Sequence, residues 1–188
     1  MATYPNMQAN AQVPVASGDD EPFWQALTTI TPPLANKRIL ALHVHSGWFC
    51  RYAMNHGAAS VLGIDSDSVA ISQARLMAAT DRLRYRIMPD WALTMLTGAY
   101  DLIVGTFDLG SDDLNLVSHQ LVNRLRPGGQ LVATVSAPPT PPSGPALTVT
   151  SLIDPRLTID AWQQVVDPRL ASEHLHFMVT SRVKRRRP

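Results

Sequence analysis

Two histidines, a glycine and two aspartates occupy positions at which a ligand could be held. The string LALHVHSG contains His43 and His45, two residues apart, and ends at Gly47. Asp65 ends the string SVLGID, and Asp90 lies in MPDW. Imidazole nitrogens bind metals or move protons near neutral pH, and carboxylates accept hydrogen bonds from hydroxyl groups. These residue types therefore indicate nucleotide binding, metal binding or proton transfer.

Short apolar runs alternate with helical patterns along the chain. The runs predict five buried strands, at 37–44, 60–65, 84–88, 100–107 and 130–135. One helix is predicted at 48–56, and a second is predicted to begin after a cap at Ser66 or Asp67. A third is predicted over 112–125 and is ended by PGG. Strands that alternate with helices in this way form a mostly parallel sheet with helices on both faces. The sequence therefore predicts an α/β fold of the Rossmann-like, doubly wound type, which binds ligands at the carboxyl ends of its strands.

The two ends of the chain differ from its centre. Residues 1–19 are polar and show no period, which predicts a disordered leader before a first helix. Towards the C-terminus, two strand-like runs joined by a turn around 167–173 predict an antiparallel hairpin at the edge of the sheet. We therefore expect a single domain over 20–183, followed by a basic tail at 184–188.

Composition restricts the cellular setting and the partners. The chain has 188 residues, and none of its apolar runs approaches the roughly 20 residues that cross a bilayer. No secretory signal is recognisable, and the single cysteine, Cys50, cannot form an internal disulfide. A cytoplasmic protein that does not enter membranes is expected. Cys50 itself is expected to be a small buried residue, with a catalytic role as the alternative.

Positive charge is concentrated at the C-terminus. The net charge is +1, and Arg182, Lys184, Arg185, Arg186 and Arg187 crowd the last seven positions. The remainder of the chain is mildly acidic, which argues against nucleic-acid binding over the whole surface. The tail is expected to be a solvated terminus.

Several strings, in order, resemble class I S-adenosylmethionine-dependent methyltransferases. The resemblance covers about 37–136, and LRPGGQLV is its most family-like string, with DLIVGTFDL and MPDW as further matches. In that family the first strand ends in hydrophobic-Asp-x-Gly-x-Gly-x-Gly. Ala41 stands in place of the Asp, His43 and His45 in place of the first two glycines, and Gly47 is retained.

The resemblance implies a cofactor and a set of residues that would hold it. The cofactor would be S-adenosylmethionine, with Asp65 on the ribose hydroxyls and Asp90 and Trp91 near the adenine. The residues implied to contact the cofactor are His43, Val44, His45, Gly47, Asp65, Ser66, Asp90, Trp91 and Gly105.

Three interpretations of the histidine loop stay open. Glycine there permits positive φ and close approach of the backbone to a ligand, whereas imidazole rings on a strand exit would crowd the same volume. The loop could bind the cofactor in a shifted pose, it could have lost cofactor binding, or His43 and His45 could ligate a metal. Nothing in the sequence identifies a third ligand, so no metal site is predicted.

The implied reaction is methyl transfer to a small-molecule acceptor. The string WFCRYAMNHGAASVLGID resembles a small-molecule subgroup, and the Asn-Pro-Pro-Tyr motif typical of amino-group acceptors on nucleic acid or protein is absent. His45 is the candidate base, and Phe107 and Asp108 are expected near the acceptor. The segments that could cap the acceptor site are short, so the site is either open or completed by a second subunit of a homodimer.

Two other functions compete with this one. The first is a catalytically silent methyltransferase-like domain with a binding or regulatory role, which the loss of Asp at position 41 and of two glycines favours. The second is a nicotinamide-dependent oxidoreductase, since Asp65 would suit a ribose there too; the LRPGG turn and the terminal hairpin argue against it.

Overall fold

The computed structural model describes residues 21–108, 114–137, 154–165 and 175–183. The leader at 1–19, most of the Pro-rich segment after the fifth strand, the hairpin turn at 167–173 and the basic tail at 184–188 lie outside the described residues. Within the described part of the chain, no helix is long and apolar enough to span a bilayer.

The described helices and strands alternate along the chain as predicted. In chain order they are α1 Glu21–Thr28, β1 Arg38–Leu42, α2 Trp48–Asn55, β2 Ser60–Asp65, α3 Ser68–Met77, β3 Leu83–Ile87, a 3₁₀ helix Asp90–Met95, β4 Tyr100–Asp108, α4 Leu114–Val122, β5 Leu125–Ala137, β6 Leu157–Val165 and β7 Leu175–Val183.

The seven strands form one sheet in the order β3-β2-β1-β4-β5-β7-β6. Strands β1 to β5 are parallel to their neighbours, and β7 runs antiparallel to both β5 and β6. The predicted Rossmann-like α/β fold with a C-terminal antiparallel hairpin is therefore confirmed. Because strand order reverses beside β1, the carboxyl ends of β1, β2 and β4 meet at the place where such sheets bind ligands.

Each face of the sheet carries its own apolar core, since successive residues of a strand point to opposite faces. On the first face, Ile39 and Ala41 of β1 pack with Trp24 of α1 and Phe49 of α2. The rings of Trp24 and Phe49 stack with centroids 5.1 Å apart. On the second face, Leu40 and Leu42 pack with residues of the 3₁₀ helix and α4. Burial on both faces explains why these strands are continuous apolar runs.

Among the boundaries that differ from the prediction, three concern β1, α4 and β5. β1 ends at Leu42 rather than at position 44, because the next residue has positive φ. α4 ends at Val122, and β5 begins at Leu125 instead of 130. Leu125 pairs with Tyr100 of β4. The pairing register between β4 and β5 then shifts before Leu102, and this shift accommodates the PGG turn. The 3₁₀ helix was not predicted, because it depends on packing against the second face rather than on a local pattern.

Candidate active site

The residues singled out by type and spacing converge at the carboxyl edge of the sheet. The loop His43–Gly47 follows β1, Asp65 is the last residue of β2, and Asp90 begins the 3₁₀ helix that follows β3. Since β1, β2 and β3 are parallel neighbours, these three positions are adjacent. The topology therefore brings together residues that are up to 47 positions apart in sequence.

The loop after β1 has the backbone of a glycine-rich turn although two of its residues are histidines. His43 has φ of 54°, His45 has φ of 45° and Gly47 has φ of 75°, all in the left-handed region. A residue with a Cβ pays on the order of 1 kcal/mol for this conformation. Both histidines have left strand geometry, so the expectation that their rings share one side does not apply.

Gly47 lies where a side chain cannot fit. It begins α2, its N–H donates to the carbonyl of Val44 over 2.7 Å, and a Cβ built on it would lie 2.6 Å from the Tyr85 hydroxyl. Tyr85 is buried, so it cannot simply move aside. Glycine is therefore required at position 47 both because a Cβ would not fit and because φ is positive.

Asp65 ties the loop to the next helix. One carboxylate oxygen accepts the N–H of His45 and the other that of Asp67, each over 2.9 Å. Asp67 in turn caps α3 by accepting the N–H groups of Val69 and Ala70, as predicted for one of the two candidate caps. Asp65 is buried with its carboxylate fixed at the edge of the sheet, and a carboxylate has acceptor capacity beyond two hydrogen bonds.

His43 and Asp90 form a hydrogen-bonded side-chain pair, an ion pair when His43 is protonated, that sequence reasoning missed. Nε2 of His43 lies 3.0 Å from Oδ1 and 3.2 Å from Oδ2 of Asp90, and the two side chains are 19% and 32% exposed. The residue in the first glycine position thus contacts the acid that the resemblance assigns to adenine. The only signal available in the sequence was that both residues follow neighbouring strands.

Behind the loop lies a buried guanidinium that was also missed. Nη1 of Arg51 donates to the carbonyl of Ser46 over 2.5 Å, and the Arg51 side chain is buried. Burial raises the pKa of the neighbouring Tyr85 hydroxyl and raises that of the Cys50 thiol to about 12. Cys50 is therefore a neutral, fully buried residue, as expected, rather than a nucleophile.

The other sequence-predicted residues differ in exposure. Val44 is buried and donates its N–H to the carbonyl of Ile64, and Gly105 pairs with Leu42 at the end of β1. Ser66 and Trp91 are exposed, Trp91 by 77%. Phe107 and Asp108 are the last residues of β4, and their side chains lie outside what the structure describes.

Metal binding by the two histidines finds no third ligand in the described residues. Among residues 21–108, 114–137, 154–165 and 175–183, no three His, Cys, Asp or Glu side chains are grouped closely enough to hold an ion. The His43 ring is engaged with Asp90, and His45 is exposed. The edge instead offers a fixed carboxylate, backbone groups in left-handed geometry and an imidazole, which suit a polar ligand rich in hydroxyl and amino groups.

Comparison with solved structures establishes the fold. An S-adenosylmethionine-dependent methyltransferase from Mesorhizobium loti is similar over 88% of this chain and 98% of its own, with a TM-score of 0.66 and 20% identity. The N-methyltransferase NodS from Bradyrhizobium japonicum is similar over 88% and 96%, with a TM-score of 0.65 and 15% identity. TrmN from Thermus thermophilus is similar over 86% of this chain but 48% of its own, with a TM-score of 0.65 and 16% identity.

The sequence itself matches neither a family model nor a curated protein. At these identities the likeness to the three structures concerns architecture, and this chain has the class I methyltransferase fold. Function must be argued from the site.

Proposed function

We propose that the chain binds S-adenosylmethionine at the carboxyl edge of β1, β2 and β3 and transfers its methyl group to a small-molecule acceptor. The observation that carries the proposal is the left-handed backbone at His43, His45 and Gly47. Two non-glycine residues hold a conformation that costs them stability, and strain of this kind is typical of ligand sites. The same fold in NodS, which was also solved in complex with S-adenosyl-L-homocysteine, supports the choice of cofactor.

Asp65 fits the ribose of this cofactor. Its carboxylate is buried and held by two backbone N–H groups, so little side-chain entropy remains to be lost on binding. Each oxygen retains capacity for a hydroxyl donor. Ser66 follows directly and is exposed. A fixed acceptor pair is the chemistry that vicinal hydroxyls require.

For adenine to bind beside Asp90, the contact between His43 and Asp90 must leave room for the base or rearrange. Asp90 is 32% exposed, and the exposed Trp91 ring beside it would form an outer wall of the adenine pocket. Since Nε2 of His43 lies 3.0 Å from Oδ1 of Asp90, the imidazole and the adenine would have to share this carboxylate. We therefore favour the shifted pose among the three interpretations of the loop.

The chain's contribution to the reaction is orientation and proton removal. The cofactor's sulfonium supplies an activated methyl group when bound. The loop of Val44 and Gly47, together with Gly105 of β4, would line the approach to it. Aligning the acceptor with that group supplies much of the rate. His45 is exposed at the same edge and would accept a proton from an acceptor hydroxyl or amine.

One observation favours a second candidate, a methyltransferase-like domain without catalytic activity. The His43–Asp90 ion pair fills a glycine position and engages the acid expected at adenine. If that pair is too stable to rearrange, cofactor binding is lost while the fold persists. The two candidates differ in a single measurable property, which is affinity for the cofactor product.

Isothermal titration calorimetry with S-adenosylhomocysteine tests the proposal. We expect one site per chain with micromolar affinity, and Asp65→Ala should weaken it at least tenfold, since it removes the ribose acceptors. Asp67→Asn is the matched control, because Asn retains the cap of α3 and the affinity should stay within twofold. No heat from the unmodified chain at millimolar ligand would favour the silent domain and overturn the proposal.

A further inference from the structure

Edge strand β3 carries a row of three exposed arginines. Arg82 precedes the strand, Arg84 and Arg86 lie within it, and all three are exposed, whereas Leu83 and Tyr85 between them are buried. Alternate residues of a strand point to one face and lie about 6.6 Å apart. We call Arg82, Arg84 and Arg86 the arginine row; it spans roughly 13 Å of the sheet edge.

The arginine row has no carboxylate to neutralise it among the described residues. None of the ion pairs formed there involves Arg82, Arg84 or Arg86. Nε of Arg84 donates to a backbone carbonyl, that of Asp81, over 3.1 Å. By contrast, Arg126 on β5 is paired with Asp101 over 2.9 Å. Three exposed positive charges at this edge, with no ion-pair partner among the described residues, would attract anions from solution.

Two further arginines extend this charge across the second face. Leu62 and Ile64 of β2, which belong to the second core, pair with Arg84 and Arg86, so the row lies on the face that the 3₁₀ helix covers. Arg38 and Arg124 act together with Arg86 on the Tyr100 hydroxyl, opposing the rise in its pKa that burial causes. The guanidinium groups of Arg38, Arg86 and Arg124 therefore lie near one hydroxyl, and Nη2 of Arg124 donates to the carbonyl of Thr94 in the 3₁₀ helix over 3.0 Å.

The 3₁₀ helix adds apolar side chains to this basic face. Trp91 is 77% exposed and Met95 is 67% exposed. A single strand of nucleic acid would offer phosphates to the guanidinium groups and unpaired bases to the exposed Trp91 ring of the helix that covers this face, because bases stack on aromatic rings.

We propose that this face, formed by the arginine row with Arg38, Arg124 and Trp91, binds single-stranded nucleic acid. The inference goes beyond the proposed methyl transfer and does not depend on it. It also refines the expectation from composition: the surface as a whole is not basic, but one face is. The alternative use of charges on an edge strand is to prevent pairing with other chains, which needs no ligand.

Fluorescence anisotropy with a labelled 12-nucleotide single-stranded RNA, measured without cofactor, tests the inference. We expect micromolar affinity at 50 mM salt and a slope of log affinity against log salt of about −2 to −3.5, from three to five phosphate contacts. Arg84→Gln and Arg86→Gln should each reduce the slope by about 0.7, and the double variant should bind about tenfold more weakly. Arg126→Gln removes the same charge from a paired arginine and should change affinity less than twofold.

A second comparison separates nucleic acid from other polyanions. Trp91→Ala should weaken RNA binding about tenfold through lost stacking, while binding of inorganic polyphosphate should not change. Equal losses for both ligands, or equal effects of Arg126→Gln and Arg84→Gln, would overturn the proposal. Absence of RNA binding at 50 mM salt, with β3 variants that aggregate instead, would assign the arginines to protection of the edge. Arg84→Gln and Arg86→Gln should leave cofactor binding, measured separately by calorimetry, unchanged, so the two proposals can fail separately.

Discussion

At the scale of single residues, the loop after β1 is held in shape by different means at each position. His43 gains an ion pair with Asp90, whereas His45 is exposed and donates its N–H to Asp65. The main-chain hydrogen bond would survive loss of the His45 side chain. The left-handed φ of 45° at His45 can be tested by replacing the residue with glycine.

Replacing His45 with glycine should raise stability. Glycine adopts φ of 45° at no steric cost, so His45→Gly should increase the free energy of unfolding by about 0.5–1 kcal/mol after the entropy of the unfolded chain is included. His43→Gly should show no such gain, because it removes the contact with Asp90. Urea unfolding of the two variants measures the difference. A loss of stability in His45→Gly larger than that in His43→Gly would contradict the assignment of strain.

Gly47 tests the steric argument. Gly47→Ala should cost more than 2 kcal/mol, because it combines positive φ with a Cβ 2.6 Å from the buried Tyr85 hydroxyl. Gly57→Ala is the matched control: its φ is 81°, but its Cβ would lie 3.6 Å from Ala35, so only about 1 kcal/mol is expected. Chemical denaturation of both variants gives the comparison, and equal costs would refute the role of Tyr85.

At the scale of elements, a buried carboxylate fastens β6 to α4. Asp154, just before β6, accepts two hydrogen bonds from the Arg156 guanidinium, lies 2.7 Å from Nδ1 of His119, and donates its N–H to Ser118. Its side chain is 1% exposed. These contacts stabilise the ionised carboxylate of Asp154. Hydrogen bonds from Arg156 lower its pKa to about 2. His119 of α4 supplies one of these contacts.

This fastening should make stability depend on pH in the acid range. The folded pKa of Asp154 is about 2, below its usual 3.8, so its contribution is present above about pH 4 and is lost as pH falls towards 2. Asp154→Asn should therefore cost about 2 kcal/mol at pH 6 and less at pH 3. Urea unfolding at both pH values checks this, with Asp81→Asn as the exposed control. A cost that does not shrink on acidification would contradict the role of the charge.

At the scale of the whole molecule, the alternation of apolar runs and helices was sufficient to predict the sheet. Each buried strand is recognisable because both of its faces lack water, and the βα order then implies parallel pairing. The places of Asp65 and Gly47 at the carboxyl edge were predictable for the same reason, since Asp65 ends β2 and Gly47 lies in the loop after β1. The ends of the strands were less predictable. β1 ends where His43 adopts a positive φ, and a histidine does not by itself specify that conformation.

The contacts that could not be predicted join distant parts of the chain. His43 meets Asp90, and His119 meets Asp154, through side chains separated by at least 35 positions. Arg51 reads as a helix-surface residue, yet its guanidinium turns back beneath Ser46. Such pairings depend on how the elements pack, which periodicity does not specify. The arginine row was visible as alternating letters, but its exposure followed only from the edge position of β3.

A crystal structure grown with excess S-adenosylhomocysteine tests the central proposal most directly. We predict ordered ligand with its ribose hydroxyls within hydrogen-bond distance of the Asp65 carboxylate, its chain beside Gly47, and a distance from His43 Nε2 to Asp90 Oδ1 longer than 3.0 Å. An empty edge, with that ion pair intact at millimolar ligand, would contradict cofactor binding while leaving the architecture unaffected.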